Sequence, residues 1–136
     1  MEEQPVTALI VVRPGPLRNS LLALMNTMPQ IEIVAESRDI SSLLRMGTQM
    51  QPDLVLLETE LPGDGVQEAL RQIRDEWSAT HTIVLVDNAI QRLNAQKAGA
   101  DVVLYKGFRA ASLVRIISSL LPQNVSPNYL ERANMS

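Results

Sequence analysis

The sequence predicts a single α/β domain: a three-layer sandwich in which a doubly wound parallel sheet of five strands carries helices on both faces. Three observations lead there. Short β-branched runs alternate with longer stretches of helical period along the chain. The runs ALIVV and LVLL are apolar without alternation, as expected of strands buried on both faces. Pro29, Pro52, Pro62, Gly99 and Pro122 all fall between the elements, where chain-breaking residues do no damage.

The elements follow in order. Residues 7–12 form the first strand, and residues 16–28 a helix with Leu17, Leu21, Leu24, Met25 and Met28 on one face. A second strand over 31–35 leads to a helix over 40–50 that turns Leu43, Leu44 and Met46 inward. The third strand, 53–58, is followed by a helix over 66–77 with Ala69, Leu70 and Ile73 on its core side and Trp77 as a packing cap. The fourth pair is a strand over 82–86 and a helix over 89–98 whose apolar face is Ile90 and Leu93. The last is a strand over 101–105 and a helix over 110–121, where Leu113, Val114, Ile116, Ile117, Leu120 and Leu121 recur at threes and fours. Residues 5–121 make the domain, and 122–136 form a polar tail or linker stub.

Composition narrows the function classes. At 136 residues the chain holds one core. The absence of cysteine excludes disulfides and thiolate metal sites, and suits a reducing cytoplasm. The N-terminal apolar stretch follows acidic residues and is too short to span a bilayer, so no membrane anchor is expected. The twelve Lys and Arg lie scattered with no run among them, and direct nucleic-acid binding is not expected. His81, the single histidine, lies in a loop with no nucleophile motif or second histidine at metal spacing, and reads as exposed. The methionines Met25, Met28, Met46 and Met50 read as core gap-fillers.

In a doubly wound sheet the site lies beyond the carboxyl ends of the strands, at the switch in strand order. Arg13, Glu58, Val86 or Asp87, and Lys106 converge there. Glu58 closes an apolar strand, PDLVLLE, just before a Leu-Pro-Gly turn, which puts a carboxylate at the strand tip. Glu60 is read as solvent-facing, without chemistry.

Three stretches, VVRPGPLRNSL, PDLVLLETELPG and AGADVVLYKG, resemble the receiver domain of two-component response regulators over residues 6–121. The likeness is closest to receivers that precede a helix-turn-helix effector domain, because Gly107 and not proline follows Lys106. It implies the CheY-like, flavodoxin-like fold, and a cytoplasmic, non-enzymatic role in a phosphorelay and in transcription regulation. In that family the third strand delivers a phosphoacceptor aspartate, two acids after the first strand hold Mg²⁺, a hydroxyl residue ends the fourth strand and a lysine ends the fifth.

Carried over residue by residue, the acceptor position is Glu58, the acidic pair falls on Arg13 and Pro14, the hydroxyl on Val86, and the lysine on Lys106. Only the lysine is retained. Mg²⁺ needs oxygen ligands, which Arg13 and Pro14 do not provide, so no metal or cofactor is expected. Glutamate reaches about 1.5 Å further than aspartate, one carbon–carbon bond, and resembles a built-in mimic of the phosphorylated acid. Arg13, Glu58 and Lys106 are expected to form a permanent ionic plug. The residues that switch in the family fall on Val86 and Val103, which can neither donate a hydrogen bond nor swing a ring, with Tyr105 as a displaced aromatic. The loop between the fourth strand and its helix is shorter than in typical receivers, and DGV replaces the usual pattern after LPG.

The resemblance therefore implies a degenerate receiver, or pseudo-receiver, that acts on protein partners through the fourth helix, fifth strand and fifth helix. That face presents Arg92, Leu93, Lys97, Asp101, Arg109 and Arg115, and could pair two copies about a two-fold axis. The alternatives are an atypical receiver still phosphorylated in a phosphorelay, using Asp64 or Asp87, and a pseudo-receiver whose vacated pocket senses a small anionic ligand near Arg13 and Lys106.

Overall fold

A computed structural model describes residues 4–61 and 65–120. The order is β1 (Val6–Val11), α1 (Pro16–Asn26), β2 (Ile31–Ser37), α2 (Ile40–Met50), β3 (Leu54–Glu58), α3 (Val66–Glu76), β4 (His81–Val86), α4 (Ala89–Lys97), β5 (Val102–Tyr105) and α5 (Ala110–Leu120). All strands pair in parallel, in the order β2-β1-β3-β4-β5. The chain winds outward from β1 to β2, then crosses to β3 on the other side. The carboxyl ends of β1 and β3 consequently border the crevice where strand order switches.

Alternation along the strands builds two cores. Leu9, Val11, Val55, Leu57, Val84 and Val86 face α2, α3 and α4. Ala8, Ile10, Leu54, Leu56, Ile83 and Leu85 face α1 and α5. All five residues of β3 are buried, which fixes the central strand from both sides. Side chains cap two helices: Asp39 accepts from the Ser42 N–H at 2.8 Å and Asn88 from the Gln91 N–H at 2.9 Å.

Two matching clamps hold the amino ends of the strands. Asp53 accepts from the Thr7 N–H at 2.9 Å while the Thr7 hydroxyl accepts from the Asp53 N–H at 3.0 Å. Asp101 accepts from the Thr82 N–H at 2.8 Å, and the Thr82 hydroxyl accepts from the Asp101 N–H at 3.0 Å. The acids of the PD and AD dipeptides thus join β1 to β3 and β4 to β5 at the edge opposite the site.

Several expectations are corrected. His81 opens β4 rather than lying in a loop, its Nδ1 3.8 Å from Asp101. Met50 is 47% exposed at the end of α2 and fills no gap. Ile90 and Leu93 do not face the core: α4 packs on the sheet through Ala95, followed by Ala98, and turns its large apolar residues outward. The small residues let the helix sit close to the sheet, and the two large ones fall on the opposite arc. Residues 122–136, the polar tail, and Asp64 lie outside the described residues. No helix among the described residues is long and apolar enough to cross a membrane.

Trp77 closes α3, 4% exposed, against Gly47 of α2. A Cβ on Gly47 would lie 2.0 Å from the indole Cη2, far inside contact distance, so this glycine is required by the indole and not by backbone conformation. Gly47→Ala should lower the urea midpoint without changing its slope, by about 1–3 kcal/mol of overpacking. Adding Trp77→Leu should recover part of that loss, which urea titration of the single and double variants checks.

Candidate functional site

β3 ends in Glu58, whose backbone pairs with Leu85 of β4, and its side chain turns into the crevice beyond β1. The residue is only 2% exposed. Both carboxylate oxygens are fully engaged. Oε2 accepts from the Arg13 backbone N–H at 2.7 Å and from Arg13 Nε at 3.3 Å. Oε1 accepts from Arg13 Nη2 at 3.1 Å and from Lys106 Nζ at 2.9 Å. A carboxylate offers about four acceptor positions, and four donors fill them here.

The rim extends the cluster in two directions. Arg13 Nη2 also reaches Glu60 Oε2 at 3.3 Å, and Lys106 Nζ reaches Asp87 Oδ2 at 3.1 Å. Charges therefore alternate from Glu60 through Arg13, Glu58 and Lys106 to Asp87, each cation between two carboxylates. Glu60 contributes to the site after all; its position two residues beyond Glu58, on the same loop as it leaves the sheet, was the available signal.

Gln91 was not singled out in the sequence at all. Its side-chain oxygen accepts from the Thr59 hydroxyl at 2.8 Å and from the Asp87 N–H at 2.7 Å. One amide thus ties the loop after β3 to the loop after β4.

The sequence-based placement of Val86 in the pocket is corrected. Val86 is fully buried among the side chains facing α2, α3 and α4, and only its carbonyl serves the site region, accepting from the Lys106 N–H at 2.9 Å. The next residue, Asp87, lies past the strand end and carries the side chain that meets Lys106. A one-residue slip along a strand reverses the facing of every side chain, which is how a valine took the place of an acid. Pro14 is exposed in the turn after β1 and adds nothing to the cluster. Val103 packs against the core beneath α4, while Tyr105 on the same strand face is 43% exposed at the rim.

Opposing effects set the protonation states. Burial pushes the Glu58 pKa up, but the hydrogen bonds from Arg13 and Lys106 outweigh it and hold the carboxyl below its ordinary value. Burial pulls Lys106 down, and Glu58 and Asp87 together raise it above its ordinary value. Hydrogen bonding to Glu58 raises Arg13. Arg13, Glu58 and Lys106 are thus ionised throughout the neutral range.

The residues present do not fit a Mg²⁺ ion. Such an ion needs free carboxylate oxygens in near-octahedral array, whereas Glu58 has no oxygen lone pair to spare and a guanidinium stands beside it. Glu60 and Asp87 each already face a cation, and no group of three or more potential ligands occurs among the described residues. As a nucleophile Glu58 would first have to break contacts with two cations. Beside the cluster runs a groove of about 260 Å³ between α1 and the start of α5, lined by Leu17, Leu21, Lys106 and Phe108.

The chain matches the response regulator receiver domain family over residues 11–118. It is 26% identical over 117 residues to the nitrate/nitrite response regulator protein NarL of Escherichia coli K12, covering 85% of this chain and 54% of that protein. To the transcriptional regulatory protein LiaR of Bacillus subtilis it is 32% identical over 106 residues, 74% of this chain and 49% of LiaR. It therefore spans about half the length of the curated relatives it matches. A LuxR-family two-component response regulator from Aurantimonas sp. SI85-9A1 superposes with a TM-score of 0.77 at 27% identity, over 86% of this chain and 85% of that one.

Glu58 should leave a mark on acid stability. Its folded-state pKa is depressed, so its contribution is complete above the ordinary glutamate value of 4.5 and disappears as pH falls through the lower folded value. Glu58→Gln should cost about 1–3 kcal/mol at neutral pH. Its stability should also fall less steeply than the parent's between neutral pH and pH 3, as urea titrations across that range would reveal.

Proposed function

The chain belongs to the response regulator receiver domain family, and from that premise we propose that it is a phosphorylation-independent receiver that signals through protein contacts. One observation carries this reading: the carboxylate at the acceptor position is saturated by four donors from its own chain. In a phosphorylated receiver, metal and phosphoryl group would have to stand where Arg13 stands here, and the retained lysine, Lys106, is already engaged by Glu58 and Asp87. Phosphoryl transfer depends on positioning and charge neutralisation, and both are already spent on Glu58.

Arg13, Glu58, Lys106 and Asp87 act together as the plug, and the Gln91 amide keeps the two neighbouring loops joined, so the domain stays in a single state. Of the two fallback acceptors, Asp87 is committed to Lys106, and Asp64 lies outside the described residues. An anionic ligand would likewise have to compete with Glu58, Glu60 and Asp87 for Arg13 and Lys106. The names of the relatives, a nitrate/nitrite response regulator and a transcriptional regulatory protein, support a place in the control of transcription. The output runs through α4, β5 and α5, the face that Arg92, Leu93, Lys97, Arg109 and Arg115 share.

Amide NMR of the full chain titrated with Mg²⁺ and beryllium fluoride tests this directly. No saturable shift is expected at Glu58, Lys106 or the adjoining loops; a saturable shift there overturns the reading. The double variant Arg13→Asp/Glu58→Asp restores carboxylates where a metal needs them and removes the guanidinium beside them. It should gain a Mg²⁺-dependent response that the parent lacks, again read from amide shifts.

A further inference from the structure

At the amino ends of the strands, on the edge opposite the Glu58 cluster, the layer formed by α5 leaves space over the sheet. A cavity of about 300 Å³ opens there between the starts of β1, β3 and β4 and the last turn of α5. Its walls are apolar: Val6 and Leu54 from the sheet, Ala79 from the turn before β4, and Ile117 and Leu120 from α5. Leu54 and Ile117 belong to the core under α1 and α5, so the cavity reaches down to that core.

Two polar residues complete the lining, Asp53 and His81. The Thr7 N–H and hydroxyl both donate to Asp53 Oδ2, at 2.9 and 3.1 Å. Oδ1 receives no hydrogen bond among the described residues and stays open to solvent, and no Lys or Arg among them pairs with Asp53. A carboxylate offers about four acceptor positions, and about two are left open here. His81 is turned to another acid, its Nδ1 3.8 Å from Asp101 Oδ2. The peptide dipoles of α5 point their negative end toward this edge, and its last turn, Ile117 to Leu120, carries no basic residue.

We propose that this cavity binds a small organic cation: a primary amine on an apolar body about the size of one aromatic ring, its ammonium on Asp53 Oδ1 and its ring among Leu54, Ile117 and Leu120. Volume sets the size, since about 300 Å³ lies at the lower end of the range of small-molecule pockets. Charge sets the class. An ammonium brings three donors to a carboxylate with open acceptor positions. A carboxylic acid would meet Asp53 and the negative end of α5, and a purely apolar ligand would cut Oδ1 off from water without giving it a donor. The occupant would fasten the last turn of α5 to the starts of β1 and β3. This inference goes beyond the reading of the Glu58 cluster and does not depend on it.

The test is amide NMR of the full chain with phenethylamine as the probe. Three controls each alter one feature: phenethyl alcohol lacks the charge, ethylamine lacks the ring and phenylacetate reverses the charge. Phenethylamine should give saturable shifts at Val6, Asp53, Leu54, His81 and Ile117 and none at Glu58 or Lys106, and each control should bind at least about tenfold more weakly. Asp53→Asn keeps an oxygen for the Thr7 donors; it should lose about tenfold in affinity for phenethylamine and much less for phenethyl alcohol, a difference that a purely structural role would not produce. Ala79→Leu fills the cavity from its rim, leaves Asp53 in place and should abolish binding. Urea titration verifies that both variants fold, and the control ligands decide the matter on the unaltered chain. No saturable shift at this edge below about 10 mM, equal affinity for phenylacetate or phenethyl alcohol, or undiminished binding to Asp53→Asn overturns the proposal. Shifts of the cavity residues in Tyr129→Ser/Leu130→Ser without any ligand assign the cavity to the chain's own C-terminal residues and overturn it as well. The beryllium fluoride titration reads Glu58 at the other edge, so the two readings can fail separately.

Discussion

A carboxylate buried at the tip of the central strand must be satisfied by its own protein, because water cannot reach it and an unpaired charge there would be prohibitively costly. Glu58 meets that constraint with four hydrogen bonds from two residues that lie forty-five and forty-eight positions away along the chain. The parallel sheet makes this possible: every carboxyl end opens on the same edge, and the switch between β1 and β3 brings Arg13 to Glu58. The site is accordingly a consequence of topology first and of residue chemistry second.

The same constraint fixes the surrounding loops. Lys106, held between Glu58 and Asp87, joins the end of β5 to the loop after β4. Gln91 then joins that loop to the one after β3. Three connections that a phosphate-operated switch would need to move are thus linked by hydrogen bonds and ion pairs that are in place without any ligand. The receiver fold is thus kept with an arginine, an acid and a lysine joined at the carboxyl edge of its sheet.

The cluster's charges are confined to the sheet edge, which leaves the α4–β5–α5 face electrostatically distinct. Lys106 is neutralised by its partners, whereas the cations of α4 and α5 have no ion pair among the described residues and share their face with three exposed apolar side chains. α4 presents them because its small residues, Ala95 and Ala98, are the ones that pack inward.

Periodicity and punctuation in the sequence determined all ten elements and the doubly wound order, since short β-branched apolar runs bounded by turn residues suit doubly covered strands and the helical runs carry their own period. The sequence also determined that Arg13, Glu58 and Lys106 meet, because each ends or follows a strand of one parallel sheet. Register and helix rotation were decided only in the tertiary structure. At the end of β4 one residue separates Val86 in the core from Asp87 at the lysine, and no local signal marks where the strand stops. Along α4, Ile90 and Leu93 have the spacing of a core face, but the sheet accepts the alanines, a choice made by the space available between α4 and the strands beneath it. Asp101 illustrates the same limit: its charge was legible as surface, but only the pairing of β4 with β5 turned it into the clamp on Thr82.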